Sequence, residues 1–241
     1  MGSDDLFHRC KARSSTELKR QKRERSRSSR YLMVCEGTKT EPHYFRELRD
    51  YFRIPSQSIC IVPSDGTSPS RIVAHALAQY DEDALRGDSF DKVFCVFDRD
   101  MHETFDAAVQ RVSDLKSSST PKPFEAITTT PCFEFWFLLH FGFSDQPFHV
   151  SGKKSVGDKV VAALRKKPGF QTYGKGQQGI FAALEDMMGS AIESAHQLRK
   201  CSGSMGYKNP ATDVDLLVLE LMSLHSQNLS RGHKHASVGH S

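Results

Sequence analysis

Two places in this 241-residue sequence put acidic side chains where apolar runs stop. Tyr31-Leu32-Met33-Val34-Cys35 ends in Glu36-Gly37, and Lys92-Val93-Phe94-Cys95-Val96-Phe97 ends in Asp98-Arg99-Asp100. Residues two apart in an extended chain face the same way. Asp98 and Asp100 therefore address one centre while Arg99 points away from it. Three carboxylates brought together repel one another at neutral pH. With oxygen donors only, the usual compensation is a hard divalent cation, Mg2+ or Mn2+. Such an ion polarises a phosphoryl oxygen, activates water and stabilises a leaving oxygen. The plainer reading of the same residues is a set of loop-edge acids with partners elsewhere.

For these acids to meet, the elements carrying them must be neighbours. Tyr31–Cys35 reads as a buried strand stopped by a turn. Thr40-Glu41-Pro42 opens a helix with a Thr cap and an early Pro, and Tyr44, Phe45, Leu48, Tyr51 and Phe52 follow at helical spacing. Residues 58–63 read as a second strand. After the Asp65-Gly66 turn, Ser70 can cap a helix carrying Ile72, Val73, Ala76, Leu77 and Tyr80. Residues 92–97 form a third strand, apolar on both faces as a central parallel strand is. A helix over 104–115, a fourth strand over 124–130 and an apolar helix from Pro131 to about Phe141 complete the pattern. Alternation of this kind predicts a parallel sheet sandwiched by helices. A flavodoxin-like strand order would make the first and third strands neighbours and bring Glu36 to the aspartate pair at the switch point.

Beyond the boundary-like segment 151–157 the sequence predicts helices near 156–165, 179–199 and 212–224, with no strand signal. The expected organisation is a basic arm over 1–30, an α/β domain over 31–145, a C-terminal helical appendage over 146–225 and a tail over 226–241.

Glu134 lies among aromatics, where a carboxylate is costly unless paired or metal-bound. In a first helical turn a cap or dipole role would also suffice. Lys175, in Tyr173-Gly174-Lys175-Gly176, sits in a glycine-rich loop able to approach a phosphate closely, and a cation there would stabilise developing charge. Lys208, before Asn209-Pro210, is a second candidate cation for nucleic acid. Trp136 and its phenylalanines read as core, and His140 as a hydrogen-bonded helix-end histidine. Tyr173 and Tyr207 could serve a covalent step, but nothing marks them, so hydrolysis is simpler. Gly152-Lys153-Lys154-Ser155 is no P-loop. The upstream Gly is missing, with Pro147 in its place, and Lys154 separates the Lys-Ser pair.

The net charge of +4 says little, but its distribution says more. Ten Lys or Arg residues fall between Arg9 and Arg30, among them Arg20, Lys22, Arg23 and Arg25, with almost no apolar residues between them. This composition predicts disorder and affinity for a polyanion, so nucleic acid is the expected partner. No apolar run reaches the length of a membrane span, and the polar start of the chain argues against a secretory signal. The six scattered cysteines form no CxxC and read as reduced residues, which points to a cytoplasmic setting.

Glu36-Gly37 and Asp98-Arg99-Asp100 resemble the signature of the Toprim domain, a Glu-Gly on the first strand and a D-x-D on the third. The segments Cys35–Phe45 (CEGTKTEPHYF), Pro131–Phe141 (PCFEFWFLLHF) and Asn209–Thr212 (NPAT) resemble RloB-like proteins. That resemblance implies a Toprim-like fold related to the OLD-type nucleases and metal-dependent cleavage of RNA, tRNA included, or of DNA. It also implies a role in antiphage defence, beside an ABC-type ATPase partner that supplies the ATP chemistry. Glu36 matches the glutamate that binds metal and moves the proton, and Asp98 and Asp100 match the metal pair. Glu41 resembles the second glutamate of OLD-type enzymes, set five residues on where that group has four. Restraint by the partner or by homo-oligomerisation is expected of such an effector. A haloacid-dehalogenase-type phosphatase fits less well, because its D-x-D belongs on the first strand and His102 stands where Thr or Val is required. A non-catalytic nucleic-acid-binding adaptor docked on the ATPase is the alternative from another class.

Overall fold

The computed structural model describes residues 29–66, 68–99, 103–150, 155–201 and 209–236. The strands are β1 (Tyr31–Cys35), β2 (Ile59–Pro63), β3 (Lys92–Asp98), β4 (Phe124–Thr130) and β5 (Ala211–Thr212). The helices are α1 (Thr40–Tyr51), α2 (Pro69–Leu85), α3 (Phe105–Ser117), α4 (Glu134–Leu139), α5 (Val156–Leu164), α6 (Ile180–Leu184), α7 (Met188–Cys201) and α8 (Val214–Ala236). The sheet order is β2-β1-β3-β4-β5. β1 through β4 run parallel, and β5 closes the β4 edge antiparallel. β1 and β3 are thus direct neighbours, with Tyr31 opposite Lys92 and Cys35 opposite Val96.

Side-chain alternation along the strands separates two apolar layers. Tyr31, Met33 and Cys35 with Phe94 and Val96 face one side, where they meet Tyr44, Phe45 and Leu48 of α1, Trp136 of α4 and the helices that follow. Leu32 and Val34 with Val93, Cys95 and Phe97 face the other, against Ile72, Val73 and Ala76 of α2 and Ala108, Val112 and Leu115 of α3. Leu164, Phe181, Leu198 and Leu217 belong to the first layer, so the helices after residue 146 are built into the same core as the sheet. Trp136 donates its indole N–H to the Tyr44 hydroxyl at 2.8 Å, which satisfies the one polar atom this large side chain buries.

Several local features differ from the sequence expectation. β5 was not legible, since two residues carry no alternation. It is fixed by partners instead: Thr212 meets Thr129 hydroxyl to hydroxyl at 3.2 Å, and Thr128 donates to Asp213 at 2.7 Å. The helix expected from Pro131 begins at Glu134, because residues 131–133 are held as a turn over the tip of β3. α2 begins at Pro69 with Ser68 in the cap position, ahead of Ser70. α8 continues to Ala236, into the stretch from 226 that the sequence reads as tail. The expected helix over 179–199 is broken by a short 3-10 turn at Glu185–Met187. No helix among the described residues is long and apolar enough to cross a membrane.

Candidate active site

The carboxyl ends of β1 and β3 carry the first two acids. The Glu36 N–H donates to the Val96 carbonyl at 2.9 Å, extending the β1–β3 ladder by one residue. The Glu36 carboxylate in turn accepts the Asp98 N–H at 2.9 Å. The Asp98 carboxylate accepts the Phe133 N–H at 3.0 Å. Three chain segments, after β1, at the end of β3 and after β4, are therefore tied through two carboxylates.

α1 and α4 bring the other two. Glu41 is buried in the first turn of α1 and accepts the Gly37 N–H at 3.2 Å. A β-carbon at position 37 would lie 2.2 Å from the second oxygen of Glu41, so glycine there leaves the Glu41 carboxylate its place and any larger residue would make it shift. Glu134, only 2% exposed, accepts a hydrogen bond from the Tyr173 hydroxyl at 3.3 Å. Its other oxygen lies 3.5 Å from the Lys175 ammonium.

The loop carrying Lys175 is fastened to α1. The Gly176 N–H donates to the Thr40 hydroxyl at 3.0 Å, and His43 Nδ1 donates to the Gly176 carbonyl at 3.1 Å. Glu47 accepts the N–H groups of Gly179 at 2.6 Å and Phe181 at 2.9 Å, which caps α6. Thr40 is thus not the helix cap that the sequence suggests. It is the first helical residue, and its hydroxyl serves the loop.

These side chains line one cavity of about 350 Å3, whose walls include Glu36, Gly37, Glu41, Asp98, Cys132, Glu134 and Lys175. Burial pushes the Asp98 carboxyl well above the usual carboxylate range, and the charges of Glu41, Glu36 and Glu134 push it further. Burial, with Glu134 and Glu36 adding to it, raises Glu41 to about 7. Burial alone would lower the Lys175 ammonium, but the field of Glu134, with Asp98 behind it, outweighs it and holds the group above its ordinary value. The Cys132 thiol is pushed up by burial and by Glu134, so it stays protonated.

The donor set is carboxylate oxygen throughout, and its members are too close to carry all their charges unaided. That fits a hard cation in its chemistry. Among the described residues no group of three His, Cys, Asp or Glu side chains is arranged to hold an ion. Glu36 and Asp98 spend oxygens on backbone N–H groups, and Asp100 lies outside the described residues.

Of the residues singled out in the sequence, Glu36, Glu41, Asp98, Glu134 and Lys175 meet in the cavity. Asp100, Lys208, Arg20, Lys22, Arg23 and Arg25 lie outside the described residues, as do His102 and Tyr207. Ser155, dismissed as part of a P-loop, caps α5 in a reciprocal pair with Asp158. His140 ends α4 with Nδ1 donating to the Trp136 carbonyl at 3.0 Å, and burial lowers it to about 4. Two residues at the site were missed. Cys132 was grouped with the other cysteines, although it stands two residues before Glu134. Tyr173 was weighed only as a nucleophile. It is buried, its hydroxyl is pushed up, and it serves as a donor to Glu134.

A mostly parallel α/β sheet with carboxylates gathered at the tips of its first and third strands defines the class of this molecule. Within that class the chain belongs to the family described as RloB-like protein, which it matches over residues 31–221. No curated protein and no solved structure matches it.

Proposed function

We propose that this chain is a metal-dependent nuclease with a Toprim-like catalytic core related to the OLD-type enzymes, cutting RNA, tRNA included, or DNA. The observation that carries the reading is the Glu36–Asp98 contact at adjacent strand tips, with Glu41 and Glu134 in the same cavity. Glu36, Glu41, Asp98 and Glu134, together with Asp100, are the residues that would hold Mg2+ or Mn2+. The ion would polarise the phosphoryl oxygen and lower the acidity barrier of water. Glu36 would take the proton of the attacking water as its oxygen adds to phosphorus, while the leaving oxygen departs with the bonding pair and is protonated from solvent. Lys175, at the rim beside Glu134, offers a cation to the charge that develops on the phosphoryl group.

The proposal extends to an antiphage effector in the cytoplasm, working with an ABC-type ATPase and restrained by that partner or by self-association. The basic segment containing Arg20, Lys22, Arg23 and Arg25, with Lys208, would bind the nucleic acid. The test is incubation of the chain with total RNA and with plasmid, with and without Mn2+ or Mg2+, comparing wild type with Glu36→Gln. Metal-dependent cleavage lost in the variant supports the proposal. Absence of cleavage under all conditions, with nucleic-acid binding retained, leaves the non-catalytic adaptor.

A further inference from the structure

A second cavity of about 350 Å3 adjoins the acidic one, lined by Asp158, Val161, Ala162, Arg165 and Lys175. The two share Lys175, and α5 runs along both, with Gly157 in the wall of the first and Val161 and Ala162 in the wall of the second. Their chemistry differs sharply. The first is a ring of carboxylates; the second has an apolar floor and two cations. Its one acid, Asp158, is committed to the cap of α5, where it accepts the Ser155 N–H at 3.1 Å. Arg165 is exposed but aimed by its Nε, which donates to the Tyr173 carbonyl at 2.8 Å.

We propose that this second cavity seats an unpaired nucleotide next to the bond to be cut, so that the substrate is single-stranded or looped nucleic acid. The inference rests on the nuclease reading of the acidic cavity and adds the substrate's strandedness to it. A flat base lies against Val161 and Ala162 and is covered or flanked by the Arg165 guanidinium, a pairing common in recognition of unstacked bases. Lys175 stands where the connecting phosphate passes from one cavity to the other. The volume falls within the range of roughly 300–1,000 Å3 usual for small-ligand sites. A base paired within a duplex cannot enter such a space without leaving its stack.

The test uses Ala162→Leu, which narrows the floor from a partly exposed position without offering an aromatic face, with Ala162→Ser as control. Binding of labelled oligouridine, oligothymidine and a fully paired DNA duplex is measured in the full chain carrying Glu36→Gln, in Mg2+, and cutting is measured in the chain that keeps Glu36. Loss of one base-stacking seat should weaken both single strands about tenfold in Ala162→Leu, and Ala162→Ser should bind as the parent does. The parent should bind duplex more weakly than either single strand. A preference for oligouridine would point to a contact with the 2′-hydroxyl. Affinity in Ala162→Leu equal to or above that of the parent overturns the inference, as does duplex bound as tightly as single strand, or no binding of any probe. Weakened binding in Ala162→Leu, with no cutting by the chain that keeps Glu36, would sink the nuclease reading and leave the nucleotide seat standing. Robust cutting by the chain that keeps Glu36, with binding unaltered in Ala162→Leu, would do the reverse.

Discussion

The backbone N–H of Asp98 donates to the carboxylate of Glu36 at 2.9 Å, across 62 positions of sequence. This contact fixes the spacing of two acids by parallel strand pairing, and it makes the strand tips one unit. Glu36→Gln keeps an oxygen for the Asp98 N–H but cannot take a proton. Cleavage should fall by about 10²–10⁴-fold with the melting temperature little changed, as checked by single-turnover cleavage and thermal denaturation. Unfolding of the variant would show that the contact is chiefly structural.

Gly37→Ala tests the space held for Glu41. The added methyl would collide with the Glu41 carboxylate, which must swing out of the cavity. Activity should drop at least about tenfold, on the scale of a displaced active-site group. The shorter acid in Gly37→Ala/Glu41→Asp should recover part of the loss. An active Gly37→Ala enzyme would remove Glu41 from the site.

Glu41 also links the site to stability. Its carboxyl is raised from 4.5 to about 7 by burial. A group raised in the folded state contributes stability below its unfolded value and loses it as pH rises through the folded one. Stability from Glu41 should therefore decline between pH 4.5 and 7, by roughly 3 kcal/mol at most. Glu41→Gln should flatten that slope and melt roughly 5 °C or more above wild type at pH 8 without divalent cations. Mn2+ should raise the wild type more than the variant. Melting curves across pH with and without Mn2+ measure both effects, and a variant less stable than wild type at pH 8 would contradict them.

His140 should act in the opposite sense. Burial lowers it from 6.5 to about 4. Its stabilising contribution is complete above pH 6.5 and is lost as pH falls toward 4, by roughly 3 kcal/mol. His140→Asn keeps a donor for the Trp136 carbonyl and cannot gain the proton. Urea unfolding at pH 7 and 5 should show a smaller acid loss in the variant. The windows of His140 and Glu41 overlap, so single variants are needed to see either slope.

Lys175→Gln should slow the cutting step by about ten- to a hundredfold, and Lys175→Arg should restore part of it. Single-turnover rates with saturating enzyme report this directly. A change confined to substrate affinity would place the lysine on the binding path only.

Much of the fold was legible because the strands carry long apolar runs and the acids mark their ends. β1, β3 and β4 stand where the pattern placed them, and the neighbouring of β1 and β3 followed from the flavodoxin-like order. Glu36, Asp98, Glu41, Glu134 and Lys175 were each readable from type and context, and the meeting of Glu36 with Asp98 from the strand order, but the arrival of Glu41, Glu134 and Lys175 at the same place was not. Glu134 reaches the cavity because the Phe133 N–H is drawn to Asp98, a long-range contact with no local sequence signal. The fifth strand and the break between α6 and α7 were illegible for the same reason. Short elements owe their shape to partners far away in the chain.

The loop bearing Lys175 is clipped to α1 by Thr40, His43 and Glu47. Each such bond contributes about 1 kcal/mol, and together they tie the lysine to the helix that carries Glu41. Among the described residues, Lys175 and Glu41 are therefore held in one frame before any target arrives. Under the proposed nuclease activity, a regulator gains most by plugging the entrance, and relief of its grip would then release cutting at the speed of unbinding.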